Sequence, residues 1–237
     1  VRKRRKEFGS TGHQEQQRSW TKDLDCEKPR AGQNSLQGQS NSSPLDSAKQ
    51  NQVKFFSLAH MNCFSIKNKL PQLDLVSSTN NFDVICFSET KLDDSFPDSL
   101  LSLNNKFSVV RKDRNKHGGG VAILISKKVK FCPIEIPKHF SSPEISGVDI
   151  LLRGTTVREI VAYHPSHTSS LERLVQSLEF LLCSQKHCVV LGDFNMPHIN
   201  WETLTACDSP CKTFLAFVTN NGLTQHVLSP TRLNPDN

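Results

Sequence analysis

Apolar and polar positions alternate between two rhythms from Val53 onward, and almost no apolar rhythm exists before it. Short runs of β-branched and large apolar residues read as buried strands, because they lack the alternation of a half-solvated one. They cover 53–61, 82–88, 107–111, 121–126, 145–153, 156–163 and 188–191. Helical spacing appears in three places. Ile66, Leu70, Leu73 and Val76 predict one face of a helix over 66–78, although Pro71 falls inside it. Leu171, Leu174, Leu178 and Leu181 predict a second over 170–183. Residues 211–220 predict a third, stopped by Asn221-Gly222. Gly154 sits at the tip of a predicted hairpin, and Gly118-Gly119-Gly120 at another turn. Mixed strands and helices with several hairpins predict an α/β fold of two packed sheets with outer helices, not a doubly wound Rossmann sheet.

Residues 1–52 are dominated by Gln, Ser, Asn, Lys and Arg. Such a segment buries too little to offset its ordering entropy, so a disordered basic and polar tail is expected there, with the domain over 53–237. The net charge of +6 is uneven. The tail has 10 Lys/Arg against 6 Asp/Glu, and the rest 19 against 17. Nucleic-acid affinity would therefore need a local patch, such as Arg2 to Lys6 or the loop carrying Arg111, Lys112, Arg114, Lys116 and His117. No apolar run reaches the ~18 residues that suggest a membrane span, and no membrane partner is expected. The basic start has no apolar stretch after it, so it is not a secretory signal. We read the eight cysteines as unpaired thiols of a reducing compartment. Cys207-x-x-x-Cys211, with His residues nearby, is a sparse zinc pattern.

Two buried runs end in acids. Residues 82–88 lead to Glu89, and residues 188–191 lead to Gly192-Asp193-Phe194-Asn195. Ligands gather at the carboxyl ends of strands in layered α/β proteins, so Glu89 and Asp193 are candidates to meet at one site. Asp193 and Asn195, two apart in an extended segment, would point the same way: an acid for a metal or proton, an amide for water or a phosphate oxygen. An Asx-capped turn is the plainer alternative. Glu89 suits a hard cation such as Mg²⁺, or simply faces solvent. Asn62, after the first strand, can orient a ligand or form a turn. Tyr163, the only Tyr, ends a strand and can donate to a phosphate oxygen.

In order, Asn62, Phe-Ser-Glu89-Thr, Arg114 with Gly-Gly-Gly-Val-Ala-Ile, Tyr163-His-Pro and Gly-Asp193-Phe-Asn195 resemble the endonuclease/exonuclease/phosphatase superfamily. More narrowly, the wording around Asn62-Cys63-Phe64-Ser65-Ile66 and from Gly192 to Trp201 is similar to the apurinic-like endonuclease domain of non-LTR (LINE-type) retrotransposons. The resemblance implies a four-layered α/β sandwich and Mg²⁺-dependent phosphodiester cleavage of DNA, with Mn²⁺ as an alternative cation. It assigns the metal to Glu89, arrangement of the acids to Asn62, the scissile phosphate to Tyr163, the water to Asp193, and the phosphate or nucleophile to Asn195. The run Arg2 to Lys6, read as a nuclear-import signal, gives a nuclear site of action as the expectation, with the cytoplasm as the alternative; the resemblance also implies a reverse transcriptase domain in a longer parent protein.

Two departures bear on activity. The family has an Arg after the Tyr and a second Pro beyond, where this chain has His164 and Ser166. The family also closes with a strand carrying Ser-Asp-His, and that triplet does not occur in these 237 residues. A C-terminally truncated domain lacking its last strands is thus expected, with a sheet edge left unpaired and weak or no activity. Two alternatives accompany the endonuclease: a catalytically dead nucleic-acid-binding remnant, and a phosphatase of the same superfamily.

Overall fold

A computed structural model of the 237-residue chain describes residues 18–22, 55–140, 144–165, 171–184, 187–227 and 231. Its strands are β1 (Arg18–Lys22), β2 (Leu58–Asn62), β3 (Val84–Ser88), β4 (Phe107–Lys112), β5 (Val121–Ser126), β6 (Lys130–Pro133), β7 (Ile145–Leu152), β8 (Thr155–Tyr163), β9 (Cys188–Asp193), β10 (Ile199–Asn200), β11 (Thr205–Ala206) and β12 (Leu223–Gln225). Its helices are α1 (Leu70–Asn80), α2 (Asp98–Leu101), α3 (Leu171–Leu182) and α4 (Ser209–Asn220).

The strands form a four-stranded sheet in the order β2-β3-β5-β4, a six-stranded sheet in the order β12-β1-β9-β8-β7-β6, and the hairpin β10-β11. Both large sheets are mixed: β2 runs parallel to β3 and β8 parallel to β9, and the other pairs are antiparallel. Alternate residues of each strand face opposite ways, which divides the core into three layers. Val84, Cys86, Ile123, Val148, Val161 and Leu191 fill the space between the sheets. Ile160, Ala162 and Val190 of the larger sheet turn the other way, onto Leu174 and Leu178 of α3 and Phe214 and Val218 of α4. Ile85, Phe87 and Leu124 of the smaller sheet pack on Leu73 of α1 and Leu101 of α2. The result is the expected four-layered sandwich.

Three expectations change. Pro71 lies in the first turn of α1, where its missing N–H costs nothing, so it starts that helix rather than weakening it. Val76 is exposed instead of facing the core, because α1 presents Leu73 and Ser77 inward. Within the segment expected to be disordered, Arg18–Lys22 pairs with β9 on one side and β12 on the other. That strand depends on its two neighbours for its backbone partners, which no local sequence pattern announces. It gives β9, the strand leading to Asp193, a partner on both edges. The remainder of 1–52, including Cys26 and the basic start, lies outside the described residues. Among the described residues, seven cysteines are free thiols, and no helix is long and apolar enough to cross a membrane.

Candidate active site

Asn62 is the last residue of β2, and alternation sends its side chain, like that of Leu58, into the space between the sheets. Asp193 ends β9 on the facing side, in step with Val189 and Leu191. The two meet: Asn62 Nδ2 donates to Asp193 Oδ2 at 2.7 Å and to Glu89 Oε1 at 3.2 Å. The Phe64 N–H donates to Asn62 Oδ1 at 3.1 Å, which fixes the amide with its two hydrogens toward the acids.

Glu89 reaches this position by breaking the strand rhythm. Alternation would place it with Ile85 and Phe87 on the outer face, but its φ of 54° lies in the left-handed region and redirects it. The neighbouring backbone holds the turn. Ser65 N–H donates to the Glu89 carbonyl at 2.8 Å, and Lys91 N–H to the Gly119 carbonyl at 2.9 Å. Gly119 is itself left-handed at φ 64°, and a Cβ there would stand 2.3 Å from Glu144 Oε1. The glycine run therefore shapes the site from behind, the structural role expected of it.

The other predicted residues are also placed here. Tyr163 ends β8 beside Asp193 in the parallel register and is 7% exposed. Asn195 does not continue an extended segment. Its φ is 48°, its N–H donates to Asp193 Oδ1 at 3.2 Å, and its Nδ2 donates to the His164 carbonyl at 2.8 Å. The chain turns at Asp193 because that carboxylate captures the N–H two residues on, an Asx turn. Asn195 thereby ties the end of β9 to the segment after β8.

Sequence reasoning missed Glu144 and Lys91. Glu144, 6% exposed, accepts from Gly120 N–H at 2.9 Å and pairs with Arg114 at 2.8 Å. Burial raises its carboxyl above the usual range, against the pull of Gly120 and Arg114. Lys91 Nζ lies 4.0 Å from Glu89 Oε2 and 3.2 Å from the centre of the exposed Phe64 ring. His164, where an Arg was expected, is buried, and burial lowers its imidazole pKa, so it is neutral at neutral pH. Glu144 carries no local signal, since its partners Gly120 and Arg114 are distant in sequence, whereas Lys91 lies only two residues from Glu89. Arg111 and Arg114, candidates for phosphate, are turned to protein partners: Arg111 to Asp98, Asp113 and the Phe96 carbonyl, Arg114 to Glu144 and the Gly118 carbonyl.

Glu89 and Asp193 are 5% and 0% exposed, and both lean on one neutral amide. Two buried carboxylates at one amide repel each other, and a cation between them relieves that repulsion. Their all-oxygen donor set fits a hard divalent ion.

No curated protein matches the chain. The solved structures it resembles include the endonuclease domain of TRAS1, a telomere-specific non-LTR retrotransposon, with a TM-score of 0.52 and 13% identity over 70% of this chain and 71% of that one. The 3′ phosphatase NExo from Neisseria, in a variant bound to a product DNA hairpin, gives 0.51 and 19% over 70% and 71%. The AP endonuclease LMAP from Leishmania major gives 0.50 and 12% over 70% and 66%. These likenesses concern the fold. The sequence profile of the Endonuclease/Exonuclease/phosphatase family matches residues 60–234, so the chain belongs to that family, whose fold supports phosphodiester hydrolysis in general.

Proposed function

We propose that this chain is a Mg²⁺-dependent DNA endonuclease of the non-LTR retrotransposon type. The observation that carries the reading is the single amide of Asn62 bridging Glu89 and Asp193 at the seam of the two sheets. Glu89 and Asp193 would hold the ion, which supplies charge neutralisation for a negative phosphodiester. Asp193, fixed by Asn62 and by the Asn195 N–H, orients the attacking water and accepts its proton. Tyr163 donates its phenolic proton toward a phosphate oxygen. Asn195 keeps the Asp193 turn against the end of β8. DNA as substrate is supported by the neighbour bound to a product DNA hairpin, and retrotransposon-type nicking by the TRAS1 domain.

The test is nicking of supercoiled plasmid in Mg²⁺. Chelation should abolish it, and Asp193→Ala should lower it by ~10²–10⁴. Nicking that survives both would overturn the assignment. A folded chain that fails to nick, yet binds DNA with a salt dependence unchanged by Asp193→Ala, would be a nucleic-acid-binding remnant. Preference for a terminal phosphomonoester over a plasmid would make it a phosphatase.

A further inference from the structure

A second group of metal-ligating side chains lies at the hairpin that follows Asn195. β10 and β11 pair Ile199 with Ala206, and the Cys207 N–H donates to the His198 carbonyl at 3.4 Å. His198 and Cys207 thus stand opposite each other, and directly opposed residues of an antiparallel pair share a face. The next residue, Asp208, caps α4 by accepting from the Cys211 N–H at 2.8 Å. Its other oxygen lies 2.5 Å from His198 Nδ1. The donor atoms of His198, Asp208 and Cys211 all fall within 4.8 Å of one another. Ligands at ~2.0–2.3 Å from one zinc ion stand ~3.3–3.8 Å apart, within the span these donors already cover. The group is open on one side, for the His198 side chain is 63% exposed while Cys211 is buried.

We propose that His198, Cys207, Asp208 and Cys211 bind one zinc ion that clasps the β10-β11 hairpin to the start of α4. With the exposed Cys207 thiol turned in from the facing strand, two thiolates, an imidazole and a carboxylate would complete a tetrahedral set of the structural kind, unlike the all-oxygen pair at Glu89 and Asp193. Its place gives it a task. Met196 Sδ lies 3.7 Å from Cys211 Sγ, and only Met196 and Pro197 separate His198 from Asn195. The clasp would steady the segment that carries Asn195.

Cobalt(II) titration of the chelator-stripped full chain tests this without any substrate. One equivalent should bind with a thiolate-to-cobalt charge-transfer band and be displaced by zinc. Asp193→Ala should leave the band intact, which separates this site from the oxygen site above. His198→Ala and Cys207→Ser, at exposed positions that should leave the fold intact by circular dichroism, should each weaken cobalt binding at least tenfold. No thiolate band, a band indifferent to both substitutions, or a Cys207–Cys211 disulfide in place of metal would overturn the proposal.

Discussion

At Gly192, β9 leaves no room for a side chain against β8. A Cβ there would stand 2.0 Å from the Ala162 carbonyl oxygen, a backbone atom that cannot swing aside. Gly192→Ala should push the strands apart just before Asp193. The expected cost is about 1–3 kcal/mol in denaturant unfolding, with nicking lost as well. Two other side chains, the fully buried Glu159 and the half-buried His60, set opposite pH responses. Glu159 is fully buried in the inter-sheet layer beside Cys86, and burial holds its pKa well above 4.5. The native state then binds a proton that the unfolded state releases, so stability falls as pH rises above about 4.5. Glu159→Gln should remove that fall and gain about 1–3 kcal/mol at pH 7–8. Burial pushes His60 down to about 4 from 6.5. Here the unfolded state binds the extra proton, so stability drops as pH falls from 6.5 toward 4. Thermal unfolding across pH should show both slopes, and a flat profile would refute them. At this scale the sequence was readable where chemistry sits at strand ends, as for Asn62, Glu89 and Asp193. It was silent where a residue depends on distant partners. Nothing local announces the left-handed turn of Glu89 or the Glu144 carboxylate behind Gly119.

Among the elements, the long and strongly periodic ones were legible. All four predicted apolar positions of α3 are buried. The short ones were not: β6, β12 and the two-residue strands of the β10-β11 hairpin exist because a partner strand completes them, and their own residues carry little rhythm. β1 is the extreme case, a strand drawn from a polar tail. It is paired on both sides, so a proline at its centre deletes a ladder bond whichever way that N–H points. Trp20→Pro should therefore lower the melting temperature and bare the edge of β9, with aggregation on warming. An unchanged melting curve and a monodisperse chain would show that the six-stranded sheet stands without β1.

On the scale of the molecule, the sandwich followed from the alternation of hairpins with helices, but membership of each sheet did not, since pairing is a long-range property. That membership is simple. One large sheet draws its strands from 58–126, and the other from 130–225 with 18–22 added. Asn62, ending β2, and Glu89, just past β3, are therefore carried by one sheet, and Tyr163 and Asp193 by the other. Within the proposed function this division acts as a safeguard during synthesis. A nascent chain with one sheet formed carries half of a nuclease and cannot cut. Competence arrives only when the two faces close on each other, so the same event that completes the folded protein arms it.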